Sequence, residues 1–188
     1  MGVYVDNKLS FKNHIDYITS KISRNTGIFY KIRNNLPMKA RLNFYYSFIY
    51  PFLIYNVINY GSTYSSHLVN LICQHKRIIR AIANAGYYDH TSPLFSRLKL
   101  LKFSDIYRYN VAVYMYQHCS NFQIQHDVNT RSRSMAATVP SFNRLTICQH
   151  SITFMGPKVW NNLPLYVRNS SSISKFKKNL KVYFIDQY

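Results

Sequence analysis

Along much of this chain, apolar residues recur every three or four positions, and that spacing predicts helices. From residue 11 to 32, Phe11, Ile15, Ile18, Ile22, Phe29 and Ile32 form one stripe, with Ser10 placed to cap the helix start. Lys21, Arg24 and Lys31 fall on the far side. Pro37 opens a second predicted helix, Met38 to Tyr50, and Pro51 ends it. A short uncharged helix closed by Gly61 follows. The next runs from about Ser66 to Asn84 and stops before Gly86. In it Leu68, Leu71, Ile72, Ile78, Ile79 and Ile82 share one face, and Lys76, Arg77 and Arg80 another. Ser92-Pro93 starts a short helix, and Ser104 caps one continuing to about Ser120.

The pattern then changes. Residues 122–146 are polar and broken, and read as a linker. Beyond it lie a candidate strand from Ser151 to Phe154, a Gly156-Pro157 turn and a short helix around Trp160. Ser172 then caps a last helix striped by Ile173, Phe176, Leu180 and Tyr183, with Lys175, Lys177, Lys178 and Lys181 opposite. Gly2 to Val5 reads as a short strand. The expected fold is mainly α: a helical bundle over 1–121, the linker 122–146, and a small basic segment, 147–188.

Charge sharpens this picture. The 188 residues carry 24 Lys and Arg against six acids, a formal net charge of +18. All six acids are Asp, and none interrupts Tyr17 to Tyr88 or Val128 to Ile185. An ordinary solvated helix interleaves Glu with Lys; leaving the acids out suits a phosphate backbone. With 47% hydrophobic residues the chain is not a disordered basic tail. The aromatics beside bases, Phe29-Tyr30-Lys31 and Tyr107-Arg108-Tyr109, are candidates for stacking on nucleotides, although burial in the core is the commoner fate of such residues.

Catalysis has little to stand on. Phosphoryl transfer needs carboxylates converging on metal ions, and the six Asp are isolated, with no Asp-Asp pair and no Asp-x-Asp. Ile-Cys-Gln-His occurs at 72–75 and again at 147–150, which raises a Cys₂His₂ zinc site. Residues i and i+2 of a helix point about 200° apart, however, and His75 sits on an apolar face, so a buried, hydrogen-bonded histidine is the better reading. Three scattered cysteines and the lack of a signal peptide favour an intracellular protein, nuclear or cytoplasmic, not a secreted one. The uncharged run from Leu42 to Ser66 is interrupted by Asn43, Pro51, Asn56 and Asn59, which disfavours a membrane span.

Several short motifs occur in a telling order. Gly2-Val-Tyr-Val-Asp6 precedes Leu9-Ser-Phe-Lys-Asn-His14-Ile15, and Tyr50-Pro51 precedes Tyr60-Gly61. Gln74-His-Lys-Arg77 with Arg80, His90-Thr-Ser-Pro93, and Asn129-Thr130-Arg131 come next. Gly156-Pro157-Lys-Val-Trp160-Asn161-x-Leu163-Pro164 then leads into the lysine-rich helix. This series resembles the region after the polymerase core of non-LTR (LINE-type, jockey-like) retrotransposon reverse transcriptases. The resemblance implies a thumb and C-terminal region, with the catalytic Asp-Asp of the palm lying upstream of Gly2 in such elements. The parent enzyme would use Mg²⁺; this chain would need no cofactor of its own. The expected partners are RNA or an RNA–DNA hybrid, held by its backbone, and the palm domain; no small-molecule substrate is expected. The contact residues would be Lys21, Arg24, Lys31, Lys76, Arg77, Arg80, Lys175, Lys177, Lys178 and Lys181. A decayed remnant or protein-interaction fragment with an exposed apolar helix surface, and a membrane-surface binder, remain open as rivals.

Overall fold

The stripe from Ile15 to Phe29 becomes the buried side of α1 (Lys12–Ile32) in the computed structural model, which describes residues 2–118 and 144–188. Thr26 fills the seven-residue gap between Ile22 and Phe29, and its hydroxyl donates to the Ile22 carbonyl at 2.8 Å, so its burial leaves no donor unmet. Ile32 falls off the stripe and is exposed. After a 3₁₀ turn (Arg33–Asn35) come α2 (Met38–Phe48), α3 (Tyr50–Ile54) and α4 (Val57–Tyr60). These are followed by α5 (Ser65–Ala83), α6 (Ser92–Leu98) and α7 (Phe103–His118). After the undescribed stretch stand α8 (Thr146–Gln149), α9 (Ile152–Asn161), α10 (Leu165–Arg168) and α11 (Ile173–Ile185).

The mainly α expectation holds, and the two expected strands do not. Among the described residues there is no strand. Gly2 to Val5 has no strand to pair with; instead Tyr4 lays its ring 5.2 Å from that of Tyr17. Ile152 to Phe154 joins Gly156-Pro157 in one helix, α9, with Ser151 as the extended residue before it and Pro157 inside it. Proline costs a helix one backbone hydrogen bond, and packing on α7 outweighs that here. Gly156 faces α7 so closely that a Cβ would stand 2.6 Å from Met115 Sδ. The uncharged run is likewise cut into short helices, with Asn56 left-handed between α3 and α4. No described helix is long and apolar enough to cross a membrane.

Two expected caps also move. Ser10 stands two residues before α1; its hydroxyl donates to the Asp6 carboxylate and accepts from the Lys12 amide only at 3.5 Å, and the residue at the cap position is Phe11. The bond from the Ser10 hydroxyl is the main reason the Asp6 carboxyl is held below its ordinary pKa. Ser104 lies within the first turn of α7, whose opening carbonyl is that of Lys102. Ser172 caps α11 as expected, accepting from the Lys175 amide at 3.3 Å.

Two packings organise the molecule. α1 lies along α5, and Ile15, Ile18 and Ile22 of the one and Leu71, Ile78 and Ile82 of the other are buried in the same core. α7 touches α3 and α4 on this side and carries α9 and α11 on the other. The two sides share one core. Tyr60 links the first side to α7, its ring stacking 6.1 Å from Phe103 and edge-on 5.5 Å from His14. Its hydroxyl donates to the Leu53 carbonyl at 2.7 Å.

Candidate nucleic-acid interface

Because apolar residues take the inner faces of α1 and α5, their bases are left outward. Arg24, Lys31, Lys76 and Arg77 are exposed, and Lys21 and Arg80 are half-buried. Tyr30, on α1, joins the α5 set to the turn that follows α1. The Arg33 guanidinium lies 4.7 Å from its ring centre and that of Arg77, from the neighbouring helix, 5.5 Å. Both distances fall within cation–π range, so the ring holds one charge from the turn after α1 and one from α5. Lys21 sits similarly, 5.3 Å over Tyr17. Phe29 and Tyr107, by contrast, are core residues, and Tyr109 is half-buried.

Other arginines do structural work that their sequence positions do not reveal. α5 ends with Asn84 in the left-handed conformation, leaving the last carbonyls of the helix open. Arg41 Nη1 reaches the Ile82 carbonyl at 3.3 Å, and Arg97 Nη2 reaches that of Ala83 at 3.4 Å. Cations are favoured there by the helix dipole as well as by the bonds. Arg80 Nε donates to the Asp89 carbonyl at 2.9 Å, which leaves its charge at the surface.

α11 presents its own strip. Lys175, Lys177 and Lys178 are exposed and Lys181 half-buried, on a helix whose packing partner is α7. Of the α1 and α5 candidates, the structure brings Arg77 onto the Tyr30 ring beside Arg33 and Lys21 onto Tyr17, and the α11 lysines lie on a different pair of helices.

The motif residues are mostly packing devices. His14 is buried, its ring nitrogens unpaired and its pKa lowered by burial. Pro51 sits in the first turn of α3, and Pro93 in that of α6. At Gly61 a Cβ would overlap the Tyr107 ring. Trp160 lies 5.9 Å from Phe176, which stacks 4.4 Å from Tyr116. Leu163 is buried beside them, Asn161 is half-buried, and Pro164 opens α10. Gly2 is exposed, with open space around it. Thr130 and Arg131 lie outside the described residues.

The acids have local partners too. Asp6 holds Ser10, Asp89 takes the Gly86 amide at 2.7 Å, and Asp105 takes the Tyr188 hydroxyl at 2.8 Å and pairs with Arg108 at 3.4 Å. Among the described residues, no three His, Cys or acidic side chains come together to hold a metal ion. His75 is buried and bonds the Tyr45 hydroxyl at 3.0 Å, and burial pushes its pKa down to about 3.

With this arrangement in view, comparison with known proteins gives one direction. The chain is similar to a jockey polymerase. The relative is the RNA-directed DNA polymerase from mobile element jockey of Drosophila melanogaster, 30% identical over 109 residues. The match takes in 56% of this chain and 12% of the polymerase. No family model and no solved structure matches. The jockey likeness supports a relationship to retrotransposon reverse transcriptases.

Sequence reasoning passed over Arg33, whose signal was its place three residues after Tyr30 on one helical face. It also passed over Tyr87 and Tyr88, which stand between two turn residues, Gly86 and Asp89.

Proposed function

We propose that this chain is thumb-like and C-terminal material of a retrotransposon reverse transcriptase, holding a template–primer backbone without catalytic carboxylates of its own. The observation that carries the reading is the meeting of Arg77 from α5 and Arg33 from the turn after α1 over Tyr30, on a surface whose sequence holds no acid from Tyr17 to Tyr88. Such a surface attracts phosphates without reading bases. The jockey likeness supplies the polymerase context, and Mg²⁺ would belong to the palm. Residues 1–121 would form the thumb-like part, with 147–188 adding the α11 lysines as a second hold.

The test is a salt titration of binding to a blunt RNA–DNA hybrid. Affinity is expected to fall linearly on a log–log plot, with a steep slope set by the number of phosphates neutralised. A flat response overturns the reading.

A second reading has its own observation. Tyr46, Phe48 and Ile54 are exposed on α2 and α3, Phe48 by 52%, and form apolar surface suited to a protein partner such as the palm. Concentration-dependent oligomers without nucleic-acid binding would favour it.

A further inference from the structure

We propose that the turn carrying Tyr87 and Tyr88 is a base-stacking platform, which takes unpaired bases of a single strand while Lys76, Arg77 and Arg80 hold its phosphates. The proposal rests on the nucleic-acid reading above and names the form of ligand it favours.

The turn is built to hold its tip still. The Gly86 amide donates to Asp89 Oδ2 at 2.7 Å, and the Asp89 amide returns to the Gly86 carbonyl at 3.3 Å. Arg80, one turn before the end of α5, clamps the far limb through the Asp89 carbonyl at 2.9 Å. Both ends are thus tied, and the two residues between are pushed into solvent. Tyr87 is 74% exposed and Tyr88 91%. Their rings stand edge to face, 5.0 Å apart at 87°, which leaves ring faces open.

Beside the tip lies an open groove of about 570 Å³, lined by both tyrosines, Gln74, Lys76, Arg77 and Arg80. No carboxylate lines it, and that of Asp89 is turned into its own loop. Cations with exposed aromatic faces are what a single strand requires, since its phosphates need charge and its unstacked bases need flat apolar surface. A duplex offers neither face of its interior bases, so it gains only from the cations. A protein partner would exploit the tyrosines too, but three uncompensated cations beside them favour a polyanion.

The test compares a labelled 12-mer oligothymidylate with a blunt 12-base-pair RNA–DNA hybrid by fluorescence anisotropy, using the full chain. Each stacked base is worth roughly 5- to 150-fold in affinity. Tyr87→Ala/Tyr88→Ala is therefore expected to weaken single-strand binding about tenfold or more. Hybrid binding should stay within about twofold, and the log-salt slope should be unchanged because no phosphate contact is lost. Tyr87→Phe/Tyr88→Phe, which keeps the faces, should bind like the wild type. Unchanged single-strand affinity in the alanine variant, with hybrid binding intact, overturns the platform and leaves the broader reading standing. Failure to bind either ligand at low salt overturns both. Phenylalanines as damaging as alanines would assign the effect to the hydroxyls and overturn stacking. Retained single-strand binding with lost self-association would assign the turn to protein contact and overturn it equally.

Discussion

The α1–α5 pair and the α7–α11 pair both set bases opposite apolar faces, yet they hold those charges differently. On the first pair several charges are tied down, with Arg33 and Arg77 on Tyr30, Lys21 on Tyr17 and Arg80 bonded to a carbonyl, while Arg24, Lys31 and Lys76 stay exposed. On α11 three of the four lysines are simply exposed on flexible stems. Pre-placed guanidinium groups lose little freedom on binding and fix a ligand's position, whereas loose lysines supply charge without geometry. On the proposed function, the tied guanidinium groups of the first pair would set register and the lysines of the second raise local attraction.

The largest effect tests whether the two regions are one cooperative unit. Trp160→Ala empties the site against Phe176 and Leu71→Ala the α1–α5 seam, at about 3–5 and 2–5 kcal/mol respectively. Because the core is continuous, both variants should lower a single urea transition seen identically by fluorescence and circular dichroism. Two transitions would split the regions apart.

Acid comes next. His75 is held neutral down to a pKa of about 3, while in the unfolded chain it protonates near 6.5. Between those values the unfolded state binds the extra proton, so stability is complete above about pH 6.5 and falls as pH drops toward 3. Thermal melts between pH 7 and 4 should show that decline, and His14, shifted the same way, adds to it. A melting temperature independent of pH over that range would contradict this account.

Charge removal sharpens the comparison directly. Lys175→Ala/Lys177→Ala/Lys178→Ala/Lys181→Ala removes up to four phosphate contacts and should flatten the log-salt slope by about 3 to 4 on hybrid. Lys76→Ala/Arg77→Ala/Arg80→Ala should flatten it by about 2 to 3, on single strand as on hybrid, because both ligands use these cations. Equal behaviour of the two variants in the anisotropy series would erase the distinction between tied and loose charges. The smallest effect is Ser172→Ala, which removes the α11 cap for about 1 kcal/mol, read as a small shift in the urea midpoint.

Much of the fold was legible because helix periodicity is local. The stripes of α1, α5 and α11 place their buried and basic faces without any knowledge of neighbours. Where Gly156-Pro157 and Ser151 to Phe154 were misread, local preference pointed one way and contact with Met115 the other. The Ser10 cap moved because the helix begins one residue later, with Phe11 left-handed at the cap position and Ser10 held to Asp6.

The candidate surface divides along the same line. The sequence by itself determined that bases would lie outward on amphipathic helices, because apolar periodicity fixes which side of each helix is left for solvent. It also determined the lack of neighbouring acids and the chain's high positive charge. Only the tertiary structure decided that Arg33 and Arg77 share one ring, that Arg41 and Arg97 close the end of α5, and that Tyr87 and Tyr88 overhang the basic groove. Those pairings span helices and turns, so they depend on packing angles that no single stretch of sequence encodes.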